Sequence, residues 1–329
     1  MEPIVGILTL SEDIHGYAIK KKIEDRHGTR CCLIPGNELA KTGELTWSAQ
    51  HATPPLVPTT DGEAVDVRSL GALWYRRVCT TQNLPEAADP EFAPHIDYGC
   101  ETALRGLLLT EFRGRWVSHP MATQLAENKL VQLRAARQAG LRIPATLVSQ
   151  VPAQIRAFCA AHPGAIIKPI GARRGQELAA TAIASPELLE NDEVLALVPA
   201  IYQECVRGER HLRISVVGER CDAALIEAQE LDWRMDLNVP FTPYSLDRRL
   251  RERLRATLHH LGLAMGIFDM KITDQDEPVF LEVNPQGQFL FVEGLCGIPL
   301  ADALADFLVE QAMEDGRARG SHRAAAALP

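Results

Sequence analysis

The sequence predicts an α/β protein with two or three lobes, and three observations support this. Apolar runs of strand length alternate with amphipathic stretches of helix length, as in α/β folds. The chain has 329 residues, and single cores usually stop growing at roughly 250–300 residues. Hydrophobic residues make up 46% of the chain, which is enough for more than one core.

Residues 1–118 are predicted to form an N-terminal α/β domain. IVGILTL is a strand, and the polar stretch behind it is a helix that ends at Gly28, because glycine commonly terminates helices. CCLI and LGALWYRR are further strands, and DYGCETALRGLLLTE is a further helix. Strands and helices therefore alternate through this part of the chain.

Residues 119–198 and 199–312 are predicted to form two more subdomains, followed by a flexible tail at 313–329 that lacks an apolar pattern. In the first, MATQLAENKLVQLRAARQAG predicts a helix and AIIKPI a strand. In the second, RISVVGERCDAALIEA predicts a hairpin. An amphipathic helix follows it, capped by Ser245 and stopped near Gly262.

The composition also limits the partners and the compartment. The net charge is -9, which does not favour nucleic acid, because nucleic acid binds clustered Lys and Arg. No apolar run approaches the roughly 20 residues of a membrane span, and the N-terminus lacks the basic region of a signal peptide. Eight cysteines without a C-x-x-C motif favour reduced thiols. We therefore expect a cytoplasmic protein that binds neither nucleic acid nor membrane.

The stretch IFDMKITDQDEPVFLEVNP predicts two strands joined by a turn, with acidic side chains on one face. Strand side chains alternate between faces, so Asp269 and Lys271 share a face, as do Glu282 and Asn284. If the turn is centred between Gln275 and Asp276, Asp269 lies directly opposite Glu282. Opposed carboxylates repel each other unless a cation lies between them, and such hard oxygen ligands suit magnesium. The alternative is a hydrated surface hairpin.

Three basic residues are candidates for binding phosphates beside such a metal: Lys129, Lys168 and Arg213. Lys168 lies in the apolar strand AIIKP, where an inward lysine is unusual unless it meets an anion. Taken alone, each of these residues is equally consistent with a surface side chain whose stem lies along apolar surface. A nucleotide site requires them together.

These pieces, in this order, resemble the ATP-grasp fold, here preceded by an N-terminal pre-ATP-grasp domain. ENKL, IIKP with the glycine-containing loop behind it, YQECV, LRISVVG and the D-x12-E-x-N hairpin carry the resemblance. It implies that Lys129 and Lys168 hold the α- and β-phosphates of ATP and that Arg213 helps to bind the γ-phosphate. It also implies that magnesium is bound by Asp269, Glu282 and Asn284.

The resemblance assigns the adenine and the ribose of ATP to the segment that follows the predicted strand AIYQ. Relatives often have an acid where this chain has His211, so Glu209 is the nearest carboxylate for a ribose hydroxyl. The adenine hinge is implied to be the backbone of four consecutive residues: Gln203, Glu204, Cys205 and Val206.

The chain is more narrowly similar to the microviridin-type peptide ligases, which form ω-ester or ω-amide crosslinks in ribosomally made peptides (graspetides). LWYRR, AENKLVQLRAARQAGLRIPATLVS, LDWR and FLEVNPQGQFLFVEGLCGIPL carry this similarity. It implies an ATP- and Mg²⁺-dependent enzyme whose partner is a precursor peptide with a leader segment bound away from the active site. A homodimer is left open.

The implied reaction begins when an acidic side chain of the peptide takes the γ-phosphoryl group of ATP and becomes an acylphosphate. A Ser or Thr hydroxyl or a Lys amine of the same peptide then attacks. The oxyanion that forms needs a donor, for which Arg213 and Arg234 are the candidates. The loop GARRGQE is the expected lid, with Arg173 and Arg174 over the acylphosphate.

Two alternatives remain. An ATP-grasp ligase that joins a free amino acid or amine to a carboxylate would use the same ATP machinery. A nucleotide-binding module without turnover would be expected to lack a phosphate or metal residue. All of these residues are present, namely Lys168, Arg213, Asp269, Glu282 and Asn284.

Overall fold

The chain forms two compact units, residues 1–120 together with 299–329, and residues 121–298. This computed structural model describes residues 3–50, 53–77, 81–170, 181–229, 233 and 238–326, with side chains up to residue 314. Both units combine helices with sheets, which confirms the predicted α/β class.

The first unit alternates strands and helices, as the sequence predicts. Its elements up to residue 117 are, in chain order, β1 (Ile4–Thr9), α1 (Ile14–His27), β2 (Arg30–Pro35), α2 (Leu39–Thr42), β3 (Leu56–Pro58), β4 (Ala64–Asp66), β5 (Ala72–Tyr75), α3 (Ala93–Glu111) and β6 (Arg115–Val117). Four of the strands form a parallel sheet in the order β2-β1-β5-β6. Helix α1 ends at Gly28, whose φ of 61° is left-handed and unstrained for glycine.

The second unit contains two antiparallel sheets. Its elements are α4 (Pro120–Ala126), α5 (Lys129–Gln138), β7 (Thr146–Ser149), α6 (Pro152–Ala161), β8 (Ile166–Lys168), β9 (Ala182–Ile183), α7 (Pro186–Glu190), α8 (Asp192–Leu197), β10 (Ala200–Gln203), β11 (Arg210–Val217), β12 (Arg220–Glu227), β13 (Phe241–Tyr244), α9 (Arg248–Leu261), β14 (Met265–Ile272), β15 (Pro278–Asn284) and α10 (Leu290–Cys296). The strand orders are β7-β10-β8-β9 and β13-β12-β11-β14-β15. Helices α5 and α9 cover one face of the five-stranded sheet with an apolar core.

Two helix boundaries differ from those predicted. The predicted helix after Pro120 is broken in two, because the Asn128 side chain accepts a hydrogen bond from the Leu130 backbone N–H at 2.9 Å and starts α5. The cap of α9 is Asp247 rather than Ser245, since Asp247 accepts from the backbone N–H three residues later at 2.7 Å. Both caps satisfy N–H groups that a helix leaves open at its start.

The C-terminal segment also differs from the predicted boundaries. Residues 299–329 group with the first unit, and α11 (Leu300–Ala326) continues through most of the predicted tail. Its buried Leu304 and Leu308 are one turn apart, while its last turns are rich in Ala and Arg, which favour helix without an apolar pattern. Among the helices described, none is both long and apolar enough to cross a membrane.

Candidate functional site

The acidic hairpin formed by β14 and β15 contains a bulge that the sequence does not reveal. Near the turn Met270 pairs with Phe280, whereas the neighbouring pair joins Asp269 to Glu282, so Leu281 is an extra residue on β15. The turn is centred slightly before the predicted position, and the bulge compensates for this shift. Asp269 and Glu282 therefore lie directly opposite each other, as the sequence predicts.

The bulge also decides which side chains of β15 face the core. Phe280 and Val283 are three residues apart, yet both belong to the core packed under α5 and α9, because the extra residue shifts the alternation by one. Glu282 and Asn284 consequently lie on the other face of the sheet, together with Asp269 of β14. We call this other face of the five-stranded sheet the site face.

Arg213 of β11 lies beside Asp269 on the site face and forms a nearly buried ion pair with it. One terminal nitrogen of the guanidinium donates to both carboxylate oxygens, at 2.9 and 2.6 Å, and the other donates to the Gln288 carbonyl at 2.9 Å. The guanidinium carbon lies 6.0 and 5.9 Å from the ring centres of Trp233 and Phe291, where the ring faces attract a cation. Arg213 is therefore fixed from several sides.

The Glu282 carboxylate forms an ion pair with Lys129, the first residue of α5. One turn later on the same helix, the buried Gln132 side chain donates to the Val283 carbonyl at 2.8 Å and accepts from the Val283 N–H at 3.1 Å. These two hydrogen bonds hold α5 against β15. They bring Lys129 to the edge of the site face.

Lys168 ends β8 and donates to the Gln203 side-chain oxygen on the neighbouring β10 at 2.7 Å. Gln203 in turn donates to the Thr146 hydroxyl at 2.8 Å. Burial and, secondly, the positive charge of Lys129 lower the pKa of Lys168 to about 8. The two lysines thus form a region of excess positive charge, which suits an anion.

The segment between β10 and β11 is the predicted adenine hinge, and Glu204 anchors it. The Glu204 backbone N–H donates to the Ala145 carbonyl at 2.9 Å, and its carboxylate accepts from the Ala145 N–H at 3.0 Å. A cleft of about 400 Å³ opens at this segment, lined among others by Arg142, Cys205 and Asp274. The Glu204 carboxylate is therefore engaged in fixing the hinge.

Between the hinge and the acidic pair, the site face carries His211 and Lys271, which are cross-strand neighbours on β11 and β14. They are only 3% and 7% exposed. Burial lowers the pKa of Lys271, although Cys205 and Asp274 act in the opposite direction. Glu209, the predicted ribose ligand, is exposed.

Several residues of this arrangement are not among the sequence candidates: Gln132, Thr146, Gln288 and Phe291. Their roles depend on contacts between distant elements, which leave no spacing pattern; only Gln132, one turn after Lys129, follows a candidate at helical spacing. Three predicted residues lie outside the part of the chain that the structure describes, as does the whole of the predicted lid GARRGQE; these residues are Arg173, Arg174 and Arg234.

The oxygen donors of the site face fit magnesium. Asp269 and Glu282 supply opposed carboxylates and Asn284 an amide oxygen, and oxygen ligands of this kind are those that Mg²⁺ takes. Nowhere in the described ranges do three His, Cys, Asp or Glu side chains cluster as metal ligands, so the remaining ligands would be phosphate or water. Within the chain, Arg213 and Lys129 balance the two carboxylates.

Solved ATP-grasp structures resemble this chain over most of its length. The macrocyclase MdnC from Microcystis aeruginosa, bound with precursor peptide MdnA, has a TM-score of 0.82 at 27% identity and covers 93% of this chain and 99% of its own. A RiPP-associated ATP-grasp ligase from Chryseobacterium gregarium, in complex with ADP and a leader and core peptide, has a TM-score of 0.82 at 22% identity, covering 94% and 97%. At 22% identity, the similarity to the Chryseobacterium enzyme shows a shared fold and nothing about function.

Among curated proteins, glutathione synthetase from Prochlorococcus marinus is 27% identical over 259 residues, which are 75% of this chain and 77% of that protein. No protein-family model matches the chain. The ATP-grasp fold is confirmed, and so is the resemblance to ligases that mature ribosomal peptides. The chain is an ATP-grasp ligase.

Proposed function

We propose that this chain, an ATP-grasp ligase of the microviridin type, crosslinks a ribosomal precursor peptide. It would join acidic side chains of the peptide to Ser or Thr hydroxyls or Lys amines of the same peptide, with ATP cleaved to ADP and phosphate. One observation carries this proposal: Arg213, Asp269, Glu282 and Lys129 form a continuous row of paired charges across the site face.

The cations of the site would bind the triphosphate. Lys129 and Lys168 form the local excess of positive charge, which supports their assignment to the α- and β-phosphates. Arg213, next to the acidic pair, is placed to meet the γ-phosphate. Phosphoryl transfer is mostly a matter of positioning and charge neutralisation, and these three side chains contribute both.

Magnesium would be held by the carboxylates of Asp269 and Glu282 and the amide oxygen of Asn284. When bound, it supplies positive charge that neutralises the phosphates of ATP. Arg213 and Lys129, which balance these carboxylates in the chain itself, would then have N–H groups available for the phosphates.

The chemistry would proceed in two steps, phosphoryl transfer and condensation. A carboxylate oxygen of the peptide attacks the γ-phosphorus, the bond to the bridging oxygen breaks, and ADP leaves. The hydroxyl or amine then attacks the acyl carbon, loses its proton and displaces phosphate, which carries away the carboxylate oxygen. The terminal N–H groups of Arg213 are suited to stabilise the oxyanion of the second step, and we propose Arg234 for the same role.

The nucleoside would bind at the hinge, read by the backbone from Gln203 through Cys205 to Val206. The Glu204 carboxylate already accepts from Ala145, so Glu204 would contribute its backbone rather than its side chain. Glu209 remains our candidate for a ribose hydroxyl. We further propose that the partner is a precursor peptide with a leader segment and that the protein is cytoplasmic. A homodimer is one assembly that the protein could form.

A second candidate function is the ligation of a free amino acid or amine to a carboxylate. The similarity to glutathione synthetase, which extends over 75% of this chain, favours it. Both functions need the same ATP site. They differ in the nucleophile, which is a free amino acid or amine in one case and a side chain of the same peptide in the other. Incubation with free amino acids and a carboxylate acceptor would increase the acceptor mass, whereas crosslinking within one peptide decreases it.

The proposal is tested by incubating the protein with ATP, Mg²⁺ and the precursor peptide encoded beside its gene, followed by mass spectrometry. Each crosslink removes the mass of one water. Glu282→Ala should abolish the loss because the metal lacks a ligand. Glu252→Ala, on the exposed side of α9, is the matched control and should leave the loss unchanged. An unchanged mass loss in Glu282→Ala would refute the metal assignment.

A further inference from the structure

One buried charge on the site face has no use in the reaction described so far. Lys271 of β14 is 7% exposed, yet it makes no hydrogen bond or ion pair with any residue in the described part of the chain. Lys129, Lys168 and Arg213 on and around the same face each have a partner. Of these four basic residues, Lys271 is therefore the one without a hydrogen-bond or ion-pair partner among the described residues.

An unpaired ammonium in a folded interior is costly, because water hydrates it well and apolar surroundings do not. A lysine at a sheet edge avoids this cost by extending into water, but Lys271 lies on an inner strand between β11 and β15. Its cross-strand neighbours are His211 and Val279, neither of which carries a negative charge. Asp274 favours the charged form of Lys271 electrostatically but forms no ion pair with it, so the ammonium has donor capacity to offer to a ligand.

The position of Lys271 indicates which part of a nucleotide it would meet. Two residues along a strand span about 7 Å, so Lys271 is separated by that distance from Asp269 and the proposed phosphate end. Its partner on β11 is His211, which lies between the hinge segment and Arg213 along the chain, and Cys205 of the hinge is among the groups that influence the pKa of Lys271. Lys271 therefore lies toward the base end of the site.

We propose that Lys271 is a nucleotide-specificity residue whose ammonium donates a hydrogen bond to a ring nitrogen of the purine base. This inference rests on the proposed function, because it takes ATP as the ligand. The ring nitrogens of adenine that are not attached to ribose are acceptors, and an ammonium is a donor without acceptor capacity. The bound base would give the buried charge the partner that the chain lacks.

The test is a binding titration of Lys271→Met with ADP, together with thermal unfolding of the nucleotide-free protein. Met has nearly the shape of the lysine stem and no charge. We expect ADP affinity to fall about tenfold to a hundredfold, the usual effect of losing a charged hydrogen bond. The nucleotide-free variant should be as stable as the wild type or more so, whereas a purely structural lysine would leave it less stable. Lys21→Met, on the exposed face of α1, is the control and should change neither quantity.

Deaza analogues of ADP, each lacking one ring nitrogen, identify the acceptor. The analogue that lacks the acceptor nitrogen should bind the wild type more weakly than ADP does. It should bind Lys271→Met as tightly as ADP does. Equal ADP affinity of wild type and variant would overturn the inference, as would equal binding of every analogue to wild type. A matching loss with inorganic pyrophosphate would place Lys271 at the phosphates and also overturn it. If wild type itself bound no ADP, the proposed function would fail instead.

Discussion

Each unit contains a buried Arg–Asp pair that lies beside a tryptophan, but only one pair belongs to the candidate site. In the first unit, Arg76 donates to Asp13 at 3.2 Å and lies 5.6 Å from the centre of the Trp74 ring. In the second, Arg213 donates to Asp269 at 2.6 Å and lies over a tryptophan in a similar way. Local geometry alone does not distinguish the two pairs.

The surroundings distinguish them. Arg76 is fully buried. Burial by itself would raise the pKa of Asp13, but hydrogen bonds from His15 and Thr9 and the charge of Arg76 hold that pKa well below its usual range. The pair in the second unit instead continues into a row with Glu282 and Lys129. A buried ion pair by itself therefore does not indicate a site; the row of further paired charges beside Arg213 and Asp269 does.

The largest expected effect comes from removing each arginine. Arg213→Met should lower the crosslinking rate by about 10²–10³, as expected for loss of one oxyanion donor. Arg76→Met is the matched control, and its folded fraction should crosslink at the wild-type rate. Single-turnover rates, normalised to the folded fraction, provide the measurement. An equal loss in both variants would remove the distinction between the pairs.

The free energy of unfolding should depend more on the pair in the first unit than on the pair in the second. Asp13→Asn should lower the free energy of unfolding by about 3–5 kcal/mol, because Arg76 is then left buried without its charge partner. Asp269→Asn should cost less, since Arg213 keeps the Gln288 carbonyl and Glu282 lies nearby. Urea unfolding followed by circular dichroism compares the two variants. A larger cost for Asp269→Asn would contradict the account.

The excess positive charge near the second pair predicts a pH dependence. The pKa of Lys168 is lowered to about 8, so the ammonium loses its proton above that pH, and ADP affinity should fall by up to about tenfold per pH unit. Rising pH has the opposite effect on the stability of the nucleotide-free protein. The unfolded chain binds more protons between about pH 8 and 10.5, so the free protein gains stability there as pH rises.

Calorimetric titrations of wild type and Lys168→Met from about pH 7 to about pH 9.5 measure this dependence. The variant should bind ADP weakly at every pH and lose the decrease above pH 8. A decrease of the same size in the variant would assign the titration to another group.

The smallest expected effect concerns the tryptophans. Trp233→Leu removes one ring face from Arg213, and a cation–π contact of about 1 kcal/mol predicts a roughly fivefold slower reaction. Trp74→Leu should change stability without slowing the folded enzyme. Steady-state kinetics on both variants test this, and a faster or unchanged Trp233→Leu enzyme would show that the ring does not position Arg213.

Much of the site follows from the sequence because its signals are local. Strand alternation places Glu282 and Asn284 on one face, and an apolar strand containing Lys168 indicates an anion. The break that starts α5 also has a local sign in Asn128, a residue type that favours helix starts. The helical pattern on both sides concealed this break.

The rest depends on contacts that no spacing records. The bulge at Leu281 compensates for a shifted turn, and without it the carboxylates would not be opposed. Gln132 fixes α5 to β15 through backbone groups, which any sequence possesses. The aromatic ring of Phe291 on α10 lies beside Arg213 on β11, although the two residues are far apart in the sequence. Tertiary packing, rather than local preference, determines these features.

In the proposed reaction a peptide carboxylate is activated as an acylphosphate, and the transfer of an oxygen isotope tests this step. A precursor peptide whose acidic side chains carry the heavy isotope of oxygen is converted with unlabelled ATP, and the released phosphate is analysed by mass spectrometry. We expect one heavy oxygen in each phosphate released per crosslink, because the carboxylate oxygen leaves with phosphorus. Crosslinked peptide accompanied by unlabelled phosphate would contradict it.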